Sequence, residues 1–171
     1  MPARQPLPRL WLMTDERLGE GLLDTVARLP AGAGIVFRHY SLAEAERRAL
    51  FETVRLKAPG PVILAGPAAL ASAWGADGSH GHHRGATTAP AHDLAEIRAA
   101  EAAGAALLFL SPVFPTRSHP GAPVLGAEGF AALAWQTELP VVALGGMNAA
   151  RARTLSGAYG WAGIDCWSEK R

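Results

Sequence analysis

Eight short apolar runs punctuate this 171-residue chain, and most are followed by a segment of helical character. The runs are RLWLMTD (9–15), AGIVFRHY (33–40), PVILAG (61–66), ADGSHG (76–81), ATTAPAH (86–92), ALLFLSP (106–112), PVVALGG (140–146) and GWAGIDCW (160–167). Between them lie GEGLLDTVARLP (19–30), the long SLAEAERRALFETVRLKAPG (41–60), PAALASAWG (67–75), DLAEIRAAEAAG (93–104), AEGFAALAWQTE (127–138) and NAARARTLSG (148–157). Strands joined through helices run parallel with right-handed crossovers. Eight such units predict an α/β fold closed into a (β/α)₈ TIM barrel. Such barrels usually run to about 250 residues, so this one is expected to be trimmed, with short third and fourth units and no full eighth helix. An open doubly wound sheet of five or six strands competes with it, with 76–81 and 86–92 as loops. Pattern alone leaves both arrangements open. Ser41, with Glu44 three residues later, is expected to cap the long helix, and Asp93 and Gly104 to bound the helix over 93–104.

Composition places these units in a single domain over residues 1–171. Apolar residues make up 49% and charged residues 18%, the balance of a globular protein rather than a disordered one. A formal net charge of +1, with basic residues scattered along the chain, offers nucleic acid no electrostatic footprint. No apolar run reaches the roughly 18 residues of a membrane span, and MPARQPLPRLWLMTDE turns acidic too early for a signal peptide. The single cysteine, Cys166, allows no internal disulfide and fits a reducing, cytoplasmic setting. An enzyme or a small-ligand binder is therefore expected, with neither nucleic acid nor membrane as partner.

In a parallel barrel, polar groups that follow the C-terminal strand ends converge on one rim. That rule collects Thr14, Asp15, Glu16, Arg38, His39, Tyr40, Gly66, the histidines at 80, 82, 83 and 92, Arg84, residues 111–119, residues 145–148 and Asp165. ALGGMNAAR (143–151) ends a strand in two glycines just before a helix. Free backbone N–H groups, a positive helix end and missing β-carbons suit an anion there. A turn serving only tight strand-to-helix packing fits the same residues. SPVFPTRSHPGAP (111–123) supplies Thr116 and Ser118 as donors, Arg117 as a cation and His119 as a proton carrier near neutral pH. Its prolines lower the entropy lost on ordering, and its length favours a binding loop over a plain connection. HGHHRG (80–85) has histidines at zinc-like spacing with no adjacent carboxylate or cysteine, so histidines without metal are expected.

The order SPVFPTRSHPGAPVLG, then LPVVALGGMNAARARTLSGAYGWAGI, resembles the thiamine phosphate synthase family and its relatives the thiazole tautomerases. The likeness is specific from about residue 104 to 164 and fainter but collinear before it. It implies a (β/α)₈ barrel in thiamine biosynthesis, with a small phosphorylated heterocycle, a thiazole phosphate, held by Thr116, Ser118, Gly145 and Gly146. For the synthases it implies a magnesium-dependent transferase that joins a pyrimidine methyl diphosphate to the thiazole phosphate through a pyrimidine carbocation.

Several positions depart from the family pattern. The Asn-Asp pair after the third strand falls at Ala65 and Gly66, and the acid after the fourth is replaced by His82, His83, Arg84 and Gly85. The basic pair at the second strand is half kept, as Arg38 with Tyr40, and only His92 remains of the fifth-strand Ser-x-His, Pro90 standing for the serine. His119 stands for a lysine, and Asp165 for a phosphate-holding serine. Loss of the magnesium acids is expected to weaken diphosphate binding severely, and a synthase would have to recruit magnesium through Asp15, Glu16 or Asp165, none of which matches the family's metal positions. An isomerase-like proton shuttle would use His119 with His92, because the tautomerase histidine falls at Pro112. A non-catalytic binder that keeps the thiazole phosphate pocket is the other alternative. The missing eighth helix leaves apolar surface that a homodimer could cover, and the sequence leaves the oligomeric state open.

Overall fold

The computed structural model describes residues 7–118 and 120–168. Eight strands, β1 (Leu10–Met13), β2 (Gly34–Phe37), β3 (Val62–Ala65), β4 (Gly78–His80), β5 (Thr88–Ala91), β6 (Leu107–Leu110), β7 (Val141–Ala143) and β8 (Gly160–Gly163), pair in sequence order. All pairs are parallel, and β8 returns to β1, with Trp11 opposite both Gly34 and Ala162. The fold is thus a closed (β/α)₈ barrel. The open sheet is excluded because β4 and β5 pair with each other and with β3 and β6 on either side.

Burial on both faces explains why the strands read as unbroken apolar runs rather than alternating ones. Trp11, Met13, Val36, Ile63, Leu107, Phe109, Val142 and Ala162 fill the barrel interior. Their neighbours Leu12, Ile35, Leu64, Leu108 and Val141 face outward under the helices. Trp11 meets Phe109 edge to face at 5.3 Å. A β-carbon on Gly34 would lie 2.4 Å from the Trp11 ring, so the glycine makes room for it.

The helices are α1 (Leu22–Ala27), α2 (Glu44–Lys57), α3 (Ala68–Ala73), α4 (Leu94–Ala103), α5 (Gly126–Ala134) and α6 (Ala149–Ala152). Trimming falls where expected: α3 has six residues, and no helix separates β4 from β5. After β8 there is a 3-10 turn, Asp165–Trp167. Trp167 stacks on Trp161 at 4.8 Å and donates its indole N–H to the Trp11 carbonyl at 3.0 Å. That stack covers apolar surface that an eighth helix would otherwise shield.

Four expected helix boundaries shift, the one over 127–138 ending early as α5 at Ala134. Ser41 does not cap α2; Ala43 holds the N-cap position, without a side-chain bond. The Ser41 backbone N–H and hydroxyl both go to the Glu16 carboxylate at 2.9 Å, tying the loop after β1 to the loop after β2. These bonds hold the Glu16 carboxyl below its ordinary pKa. The segment 19–30 is part 3-10 turn (Glu16–Gly21) and part α1. The helix over 148–157 shrinks to the single turn of α6. Asp93 does cap α4, its carboxylate accepting the Glu96 N–H at 2.9 Å, and Gly104 closes it at φ 84°. Asp93→Ala is expected to lower stability by about 1 kcal/mol in urea denaturation, and Asp93→Asn to retain most of it.

Candidate active site at the barrel rim

A cavity of about 530 Å³ opens among the loops that follow β1, β2, β5, β6, β7 and β8. Arg38, His92, Thr116, Ser118, Gly145 and Gly146 all line it, whereas Glu16, His39, Tyr40, His80, His82, His83 and Arg84, collected by the same strand-end rule, do not. His119 lies outside the described residues.

The sixth and seventh loops are locked together backbone to backbone. Val113 donates to the Leu144 carbonyl at 2.9 Å and Phe114 to that of Gly145 at 3.1 Å. The sixth loop also closes on itself, through Leu125 to Pro112 and Gly126 to Val113, both at 2.9 Å. Thr116 Oγ1 accepts the Ser118 N–H at 3.3 Å, holding the two hydroxyl residues in one turn. Gly145 and Gly146 sit at φ 100° and 59°, backbone that side chains rarely adopt. A β-carbon on Gly146 would lie 2.4 Å from the Pro115 carbonyl oxygen. Because α6 is only one turn, its dipole adds little to anion attraction here. Positive charge comes instead from side chains. Arg151 lines the cavity, donates to the Gly146 carbonyl and lies over the Phe114 ring at 5.0 Å.

Arg38 is anchored from below, its Nε donating to the Thr14 carbonyl at 2.7 Å and Nη2 to Asp15 at 2.9 Å. Burial lowers its pKa, with the Asp15 carboxylate opposing the shift. The buried Thr14 hydroxyl accepts the Arg38 N–H at 2.9 Å and bonds His39 Nδ1 at 3.0 Å. His39 stacks on Phe37 at 4.9 Å, and burial lowers its pKa. Arg47, buried under the rim, donates to the carbonyls of Arg38 at 2.8 Å and Ala65 at 2.7 Å. It fixes the ends of β2 and β3 and packs among Phe37, Tyr40 and Trp74.

The histidines separate by role. His92 Nδ1 meets Glu96 Oε2 at 2.7 Å, and the same oxygen accepts the His92 backbone N–H at 2.8 Å. This fixes the ring at the cavity edge and leaves Nε2 as its other reactive atom. His80 is buried and bonds the Thr88 hydroxyl at 2.9 Å. Burial pushes its pKa down to about 4, helped by Arg38, His82 and His83, so it is neutral at pH 7. His83 turns Nε2 to the Gly66 carbonyl at 2.9 Å. These two rings therefore serve hydrogen bonds within the fold.

The rim acids are likewise committed: Asp15 to Arg38, Glu16 to Ser41, and Asp165 to Arg17 through bonds of 3.1 and 3.2 Å. β3 ends in Ala65 and is followed by Gly66, neither of which carries a side-chain oxygen. Magnesium needs several oxygens around one point. Among the described residues no group of three or more His, Cys, Asp or Glu converges.

Sequence reasoning passed over Arg17, Arg47, Arg151 and Glu96. Glu96 follows His92 by four residues across a helix start, a spacing that brings side chains together. Arg151 sits three residues after the capping Asn148, whose side chain accepts its N–H at 2.9 Å. Arg17 directly follows the acidic pair at the end of β1, and no local pattern marks it.

A closed parallel barrel whose polar loops meet in one cavity at the C-terminal rim defines a (β/α)₈ protein with its cavity where such barrels carry their sites. The thiamine monophosphate synthase family model matches residues 82–166. A thiamine-phosphate synthase of Salinispora arenicola is 35% identical over 186 residues, covering 92% of this chain and 88% of the relative. One from Myxococcus xanthus is 49% identical over 57 residues, covering 33% of this chain and 26% of the relative. The solved thiamine phosphate pyrophosphorylase from Pyrococcus furiosus matches with a TM-score of 0.77 at 25% identity, covering 96% of this chain and 89% of that one. The chain belongs to the thiamine monophosphate synthase family.

Proposed function

We propose that the rim cavity binds a thiazole phosphate, with the phosphate against Thr116, Ser118, Gly145 and Gly146 and the heterocycle towards His92 and Arg38. The observation that carries this reading is the meeting of those four loop residues in one cavity flanked by arginines. Two hydroxyls, backbone N–H groups of glycines that line the cavity and arginine cations are the kinds of donor a phosphate needs to replace its water shell.

Coupling to a pyrimidine methyl diphosphate breaks the methylene C–O bond, and diphosphate leaves with the electron pair. The thiazole nitrogen lone pair then forms the C–N bond. Departure of that leaving group needs strong, fixed positive charge. The acids that would hold magnesium are absent or paired with arginines and a serine, so we propose that this chain couples the two halves slowly or not at all. A specific observation favours an isomerase-like second reading: the His92–Glu96 pair holds an imidazole at the cavity edge, oriented for proton transfer to a bound heterocycle.

The test is calorimetric titration with thiazole phosphate, followed by incubation with the pyrimidine diphosphate and magnesium and oxidation of any thiamine phosphate to a fluorescent product. Saturable binding of the phosphate, weaker binding of the unphosphorylated thiazole alcohol and no steady product are expected. Steady turnover would overturn the reading of the missing acids. Absence of thiazole phosphate binding would overturn the ligand. His92→Ala then separates a proton-transfer enzyme, which loses isomerisation while keeping affinity, from a silent binder.

A further inference from the structure

An acid in the cavity is at odds with a phosphate there, and Asp165 lines the same cavity as Ser118, Gly145 and Gly146. The structure resolves this through Arg17. Its Nε and Nη2 donate to the two oxygens of Asp165 at 3.1 and 3.2 Å, a side-on bidentate pair. Its Nη1 donates to the Ser118 hydroxyl at 3.0 Å. One guanidinium thus joins the loops after β1, β6 and β8 at the cavity wall. A guanidinium has five N–H donors in a rigid fork. Three are used in these bonds, which leaves two on the terminal nitrogens among the described residues.

Resting on the reading of the cavity as a phosphate site, we propose that Arg17 is a phosphate contact of this chain and that Asp165 positions it. Asp165 neutralises no ligand and repels none while paired; it turns the open end of the guanidinium towards Ser118 and the cavity. The family's phosphate-holding hydroxyl is thereby exchanged for an ion pair that presents a cation. Asp15 also lies near Arg17, 3.9 Å from Nε, but its carboxylate is matched by Arg38 at 2.9 Å. A purely structural role, in which the pair only pins the β8 loop in place of an eighth helix, predicts altered melting without altered phosphate recognition.

The experiment titrates thiazole phosphate, the unphosphorylated alcohol and inorganic phosphate into wild type, Arg17→Ala, Asp165→Ala and the double variant, with melting temperature followed in parallel. Arg17→Ala is expected to weaken thiazole phosphate about tenfold and leave the alcohol unchanged. Asp165→Ala alone should weaken the phosphate several-fold, whereas in the Arg17→Ala background it should strengthen it, because the unpaired carboxylate then repels the ligand. Equal affinity of wild type and Arg17→Ala for the phosphate overturns the proposal, as does an equal loss for phosphate and alcohol. Strengthening by Asp165→Ala in both backgrounds overturns the positioning role. If wild type binds inorganic phosphate through Arg17 but not thiazole phosphate, the heterocycle is wrong and the Arg17 contact stands; if it binds neither, both fall. Should the alanine variant not fold, Arg17→Gln carries the same expectation.

Discussion

Gly146→Ala is expected to lower affinity for a phosphorylated ligand at the rim by about 10- to 100-fold, the size of change that roughly 1–3 kcal/mol of backbone strain corresponds to if binding has to restore the native loop. Two costs combine at this residue. Its φ of 59° strains any side chain by about 1–3 kcal/mol. The new methyl would also meet the Pro115 carbonyl at 2.4 Å and Phe114 Cβ at 3.1 Å. Backbone cannot swing aside as a flexible side chain can, so the turn that holds Thr116 and Ser118 must move. Gly104→Ala supplies the control: it sits at φ 84°, yet a β-carbon there meets nothing within 4 Å. Both variants should lose stability in urea, and only Gly146→Ala should lose binding in calorimetry. Equal affinities in the two would mean that the sixth loop does not shape the ligand site.

The alternation of strand and helix carried most of the fold, since a strand buried on both faces and a helix with one apolar stripe leave different marks on a sequence. β4 and β5 were the ambiguous pair for a physical reason. GSH has none of the branched and aromatic residues that mark strands and TAPA has only Thr88, so their place comes from pairing with β3 and β6. Helix ends were less legible wherever a distant partner intervened. Ser41 has the residue type and spacing of a cap, but Glu16, 25 residues away, takes both its donors. Asp93 kept its capping role because its acceptor serves only its own helix.

The site divides along the same line. Thr116, Ser118, Gly145 and Gly146 stand in two contiguous loops whose composition announces them, so reading along the chain finds them. Arg17 reaches Ser118 across 101 residues and Asp165 across 148, and no pattern near residue 17 encodes those distances. Asp165 itself reads as a misplaced charge until its partner is seen. Charge at a rim is therefore best judged in pairs: Arg38 with Asp15 and Arg17 with Asp165 leave Arg151 beside Gly146 without a carboxylate among the described contacts.

Acid should destabilise this protein earlier than its surface carboxylates would require, and His80 is the chief cause. In the folded state burial holds its pKa near 4, whereas an unfolded histidine titrates near 6.5. Between those values the unfolded chain binds the extra proton, so stability rises with pH across this window and is fully present above about 6.5. Lowering the pH from 7.5 to 5 should remove roughly 2 kcal/mol through this one group, about a thirtyfold change in the folding equilibrium. His39, its pKa also lowered by burial, acts in the same direction. Urea denaturation of wild type at the two pH values measures the loss, and His80→Asn should be less stable at pH 7.5 yet lose less on acidification. The His80 ring signal in an NMR titration gives the same answer without a variant: a midpoint near 6.5 would show that the ring is hydrated, and would remove the acid sensitivity assigned to it.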